Sequence, residues 1–180
     1  GASELAEDLN GYGCPRAAIR QFELTPDVQL NTWGDDGDQV GAHYGAAYLM
    51  MRYLFDRFGR ETLREVIHSP LNGLASFDAV LAHRGVEGGF DDLFADWVVA
   101  NALDAPELGD ARFGYPETDV SVPSRVRVAS YPYTHTSEVC QYAADYFDLL
   151  PSQAGRLRIS FRGKPRVKLV PNEPASGRFQ

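Results

Sequence analysis

The chain has 180 residues, of which 44% are hydrophobic, 12% aromatic and 23% charged; it is long enough to bury a core and is not disordered, collagen-like or disulfide-dense in composition. No apolar run reaches membrane-spanning length, and a net charge of −8 argues against a general nucleic-acid binder, whose affinity must come from neutralised phosphates. The charge is uneven: residues 151–180 hold seven Lys/Arg against the single acid Glu173, leaving ten bases and 24 acids in residues 1–150, and this predicts two parts with different surfaces.

The chain opens on Gly1-Ala2-Ser3 rather than Met, shows no targeting segment, and reads as a piece of a longer protein. Leu5 and Leu9, one turn apart among acids, predict a helix over about residues 2–10 that stops at Gly11-Tyr12-Gly13. After Pro15, Ala17, Ala18, Ile19 and Phe22 predict a short second helix. Residues 23–41 read as a loop with Trp33 as its one large apolar anchor. The strongest helix runs from about His43 to Phe58. Tyr44, Ala47, Tyr48, Met51, Leu54, Phe55 and Phe58 lie at the spacing of one buried face, and Gly59 ends it. Further helices are expected over Arg60 to His68, from a Ser76 cap through Leu81, and from Phe90 to about Asn101.

Beyond Gly109, Gly114 and Pro116 the period changes. Val120, Val122, Val126 and Val128 alternate with polar residues, as do Leu157, Ile159 and Phe161, and then Val167 and Leu169. The stretch from Val139 to Leu150 is read as another strand, although Tyr142, Ala143 and Tyr146 also suit a helix. The expected fold class is therefore α+β: a helical lobe over residues 1–110, then an incomplete β-sandwich over residues 111–180, since three or four strands are fewer than a closed sandwich needs. Arg156, Arg158, Arg162, Lys164, Arg166 and Lys168 read as a solvated, edge-protecting sheet face. Cys14 and Cys140 lie in no metal or redox spacing; they are either a disulfide joining the two parts or two buried free thiols.

Little in the chain signals chemistry by itself. Walker, GxSxG and GxGxxG motifs are missing, and none of His43, His68, His83 and His135 starts an HExxH. His68, His83 and His135 are read as surface or cap residues. The loop Asp35-Asp36-Gly37-Asp38 lacks the alternating spacing of an EF-hand and reads as a solvated turn or helix cap. On spacing alone, Tyr44 is a core tyrosine and Glu4 a solvated carboxylate.

A resemblance changes both readings. Gly1-Ala2-Ser3-Glu4-Leu5-Ala6-Glu7 looks like the continuation of the NEG-x-x-E segment of gluzincin metallopeptidases, in which the Glu before the Gly is the third zinc ligand. Glu4 then corresponds to the acid one helical turn later that supports a zinc-bound histidine, on the same helix face as the ligand. His43-Tyr44-Gly45-Ala46-Ala47-Tyr48, with Arg52 to Gly59, is similar to the aminopeptidase-N-like helix that begins with a transition-state tyrosine. Tyr44 takes that tyrosine's place as the oxyanion stabiliser, with His43 as the alternative, since thermolysin-like enzymes use a histidine. The segment Phe90 to Asn101 resembles a late packing helix of secreted bacterial peptidases related to hyicolysin and immune inhibitor A, in which a β-sandwich often follows.

The resemblance implies part of a secreted zinc metallopeptidase that acts on peptide or protein substrates. The N-terminal lobe of the peptidase, with HExxH and the third ligand, would lie outside this chain. Zinc is accordingly expected in the parent and none in the chain itself, which alone should be inactive. No nucleic-acid partner and no membrane span are expected. The competing expectations are a non-catalytic binding module and a degenerate peptidase homologue that has lost its metal.

Overall fold

The computed structural model of the chain describes residues 1–33, 37–109, 111–151, 157–164 and 167–170. Its described part is mostly helical with one small sheet, an α+β arrangement. Helices α1 (Ala2–Leu9), α2 (Arg16–Leu24), α3 (Val40–His68), α4 (Leu74–His83) and α5 (Gly89–Leu103) fall where apolar spacing and Gly/Pro stop signals predict them. The two helices expected on either side of Gly59 form one run with a kink at that residue, whose φ of 80° lies in the region that favours glycine. Among the described residues no helix is long and apolar enough to cross a membrane.

Helix α3 is the axis of the lobe, not a surface helix with one apolar face. Ala42, His43, Ala46, Tyr48, Leu49, Met50, Arg52, Tyr53 and Leu54 are all buried, because other segments pack on more than one side of it. Leu5 of α1, Ile19 and Phe22 of α2, Leu81 of α4 and Phe90, Leu93 and Trp97 of α5 complete the core. Phe22 stacks on Trp97 with ring centroids 5.5 Å apart, linking α2 to α5. Asp78 of α4 accepts the Phe90 N–H at 2.7 Å and so satisfies an otherwise unpaired donor at the start of α5.

Helix α2 approaches α3 closely at Gly45. A Cβ there would run into the Ala18 carbonyl group and lie 3.0 Å from Phe22 Cβ, whereas one at Gly41 would meet only the movable end of Gln21. Exchanging a helical Gly for a residue of higher propensity gains at most about 1 kcal/mol, less than the strain of wedging two backbones apart. Gly45→Val is therefore expected to destabilise by about 3 kcal/mol, and Gly41→Ala to be neutral or mildly stabilising. Urea unfolding of the two variants reads both values.

The C-terminal third differs from its alternating pattern. Only Val126–Val128 (β1) and Phe147–Leu149 (β2) pair, in parallel, with Val126 opposite Phe147 and Val128 opposite Leu149. Val120 and Val122 are buried in the helical core instead. They are held by Asp104, which accepts the N–H groups of Tyr115 (3.0 Å) and Val120 (2.9 Å), and by a bond from the Val122 N–H to the Asn101 carbonyl (3.2 Å). Within the expected strand from Val139 to Leu150 only the last residues pair. Tyr142 instead packs its ring 5.3 Å from both Phe90 and Phe94, and Tyr146 donates to the Val98 carbonyl at 3.2 Å.

Leu157, Ile159 and Phe161, like Val167 and Leu169, are exposed and pair with no strand among the described residues, which show no β-sandwich. Arg156, Arg166 and Glu173 lie outside the described residues. Cys14, half-buried, and Cys140, exposed, are free thiols, so neither a disulfide nor a buried pair is formed.

Candidate functional site

The N-terminal half of α3 presents two consecutive residues in opposite environments. His43 is 7% exposed and Tyr44 is 39% exposed, because α3 turns His43 toward the lobe and Tyr44, with Val40 one turn earlier, toward solvent. Trp33, 45% exposed, closes over both. Its ring stacks on His43 at 5.7 Å and meets Tyr44 edge-on at 4.7 Å. Trp33 therefore fixes the Tyr44 ring, while the hydroxyl has no hydrogen-bond partner among the described residues. His43 Nδ1 is buried and also unpartnered.

Glu4 lies in the first turn of α1. Its carboxylate accepts from the Ser3 hydroxyl at 3.2 Å. Glu4 and Tyr44 share no hydrogen bond. They are related through the packing of α1 on α3: a Cβ on Gly1 would collide with the Ala47 carbonyl group and lie 3.1 Å from Met51 Cγ, and Ala47 is one turn beyond Tyr44.

Further along the same pair of helices is a buried polar cluster. Asp8 Oδ2 accepts from the Tyr48 hydroxyl at 2.7 Å and from Arg52 Nη1 at 3.2 Å, while Arg52 Nε donates to Asp56 Oδ2 at 2.9 Å. Burial, then the Asp8 carboxylate, push the Tyr48 phenol well above its ordinary value, so it remains a donor at neutral pH. Burial likewise pushes the Asp56 carboxyl up, opposed by Arg52.

Tyr44 and Tyr48, placed on one face by spacing, thus have different chemistry: one hydroxyl has no partner among the described residues and the other is committed to the half-buried Asp8 carboxylate. The sequence reading missed the proximity of Trp33 to Tyr44 and the Asp8–Arg52–Asp56 cluster. The only local signal for the cluster was an Arg–Asp pair four residues apart in an apolar helix. His68 and His135 are exposed, and so is His83, which approaches Glu65 at 3.4 Å. Asp35 and Asp36 lie outside the described residues, and Gly37–Gln39 form one 3-10 turn.

Among the described residues no three His, Cys, Asp or Glu side chains converge to hold a metal. Shallow cavities of about 270 Å³, beside Arg16 and Glu23, and about 210 Å³, beside His135 and Phe147, include none of Glu4, His43 and Tyr44. Around Tyr44 the structure places a part-exposed phenol, the His43 ring behind it and Trp33 against both, with Gly1 one helical turn further along α3 against Ala47. Compared with family models, with curated proteins and with solved structures, the chain matches none.

Proposed function

We propose that this chain is the C-terminal part of a secreted zinc metallopeptidase of the gluzincin kind, in which Tyr44 donates to the oxyanion that develops on the scissile carbonyl. One observation carries the reading. Gly1 packs against Ala47 and Met51, so the start of α1 lies on α3 one turn beyond Tyr44. A carboxylate immediately before Gly1, where the resemblance puts the third ligand, would adjoin the turn of α3 that follows Tyr44.

The described residues do not make a zinc site, so every metal ligand is assigned to the rest of the protein. Zinc bound there would supply an activated water. What this chain contributes is a preorganised donor at Tyr44, with His43 as the alternative, and an orienting carboxylate at Glu4. The alternating stretches after residue 157 would then be strands of a sandwich completed by further chain.

The test is to sequence the coding region upstream and measure metal in the extended protein by mass spectrometry. HExxH followed by a Glu adjoining Gly1, with about one zinc per chain, is the expected result. An upstream segment with no histidine pair and no bound metal overturns the proposal. The 180-residue chain alone, supplied with zinc, is expected to leave casein intact.

A further inference from the structure

The tripeptide Leu-Asn-Gly occurs twice, as Leu9-Asn10-Gly11 and as Leu71-Asn72-Gly73. An asparagine followed by glycine is open to an intramolecular reaction, because a residue without a Cβ lets its backbone nitrogen come close to the side-chain carbonyl carbon of the residue before it. The glycine nitrogen adds to the asparagine Cγ, ammonia leaves, and a five-membered succinimide forms. Water then opens the ring: cleavage of the bond from the nitrogen to Cγ gives aspartate, and cleavage of its bond to the main-chain carbonyl carbon gives isoaspartate. Water is the only co-reactant. With the same three residues at each site, the local sequence does not separate the two; their hydrogen bonds do.

At the end of α1 both reacting groups are engaged. The Gly11 N–H donates to the Asp8 carbonyl at 2.9 Å, and Asn10 Nδ2 donates to the Ala6 carbonyl at 2.7 Å. Attack there must wait for the helix end to open. Between α3 and α4 the same groups carry no such ties. Neither the Gly73 N–H nor the Asn72 carboxamide has a hydrogen-bond partner among the described residues, and both residues are exposed. Gly73 is instead held on its other side, where its carbonyl accepts from the Ser76 N–H at 3.1 Å and the Ser76 hydroxyl at 2.7 Å. Its φ of 57° lies in the region that favours glycine, so the turn that needs the small residue also leaves its nitrogen unbonded.

We propose that Asn72 is a self-modification site: in the folded chain its carboxamide is converted through the succinimide to aspartate and isoaspartate, whereas Asn10 is protected by the end of α1. Each conversion replaces a neutral amide with a carboxylate one residue before Gly73, the N-cap of α4, which offers no side-chain cap of its own. Neither step depends on zinc or on the peptidase reading.

The test is to age the purified 180-residue chain at mildly alkaline pH, folded or in concentrated guanidinium chloride, and to digest it with trypsin, which separates Asn10 (residues 1–16) from Asn72 (residues 65–84). In the folded chain the peptide carrying Asn72 is expected to acquire the amide-to-acid mass change, with its isoaspartate isomer, at least about ten-fold faster than the peptide carrying Asn10, whose hydrogen bonds must break first. In guanidinium the two rates are expected to agree within about two-fold, because unfolding removes those bonds and the tripeptides are the same. Wild type should also develop an acidic form on ion exchange that Asn72→Gln does not. Equal rates in the folded chain, faster conversion at Asn10, or an acidic form that grows as quickly in Asn72→Gln overturns the proposal. A rate ratio that stays as large in guanidinium also overturns it, since the difference would then not come from the fold.

Discussion

Arg52→Ala is expected to lower the stability of the chain by about 3–5 kcal/mol, the range for removing one partner of a buried ion pair. The loss is large because of what stays behind. Asp8 and Asp56, with side chains 17% and 4% exposed, would share a low-dielectric pocket with no cation. Burial raises the Asp56 carboxyl first, and Arg52 pulls it back against a further push from Glu117 and Asp8. The pH dependence follows from the sign. A carboxyl whose folded-state value lies above its unfolded value binds its proton more readily in the folded state. Its penalty is therefore full above the folded value and relieved as pH falls toward 3.8, the ordinary value. The Arg52→Ala defect should shrink between neutral pH and mildly acidic pH. Urea midpoints of wild type and variant across that range check both the size and the sign, and a defect that grows on acidification contradicts the assignment.

Tyr44→Phe is expected to leave stability within about 0.5 kcal/mol, as surface changes usually do, because the ring keeps its edge contact with Trp33 and the hydroxyl has no partner to lose among the described residues. In the upstream-extended protein the same change is expected to lower kcat on a peptide substrate about 10²–10³-fold with little effect on KM, the behaviour of a lost transition-state donor. Tyr48→Phe should separate the two tyrosines. Its hydroxyl binds a carboxylate, so its loss should appear as about 1.5–3 kcal/mol of stability. If Tyr44→Phe retains full kcat and removal of the His43 ring abolishes it, the oxyanion donor is His43.

The helices of this protein are legible in its sequence because their determinants are local. Apolar residues three and four apart, Pro15 at the head of α2 and Gly59 at the kink act within a turn or two, and each of the five helices lies close to its predicted range. The burial of each face is not local. Seven residues of α3 suggested one buried stripe, but α3 is central, so Arg52 and His43 are interior and Tyr44, nominally on the stripe, is exposed. Alternation misled for a related reason: it reports that one side of an extended segment is apolar, not what covers that side. Val120 and Val122 are covered by helices, Tyr142 and Tyr146 lie on α5, and only Val126–Val128 and Phe147–Leu149 find each other.

Glu4, His43 and Tyr44 could be named from a motif because the motif is itself a short stretch of chain. Trp33 against Tyr44, Gly1 against Ala47, and Asp8 beneath Tyr48 and Arg52 could not. The last two join groups 40 or more residues apart in sequence, as the Asp8 contacts show. Which of two tyrosines one turn apart keeps a hydroxyl with no partner among the described residues was decided only when α1 packed against α3, since that packing brings the Asp8 carboxylate to Tyr48 and not to Tyr44, which is part-exposed beside Trp33.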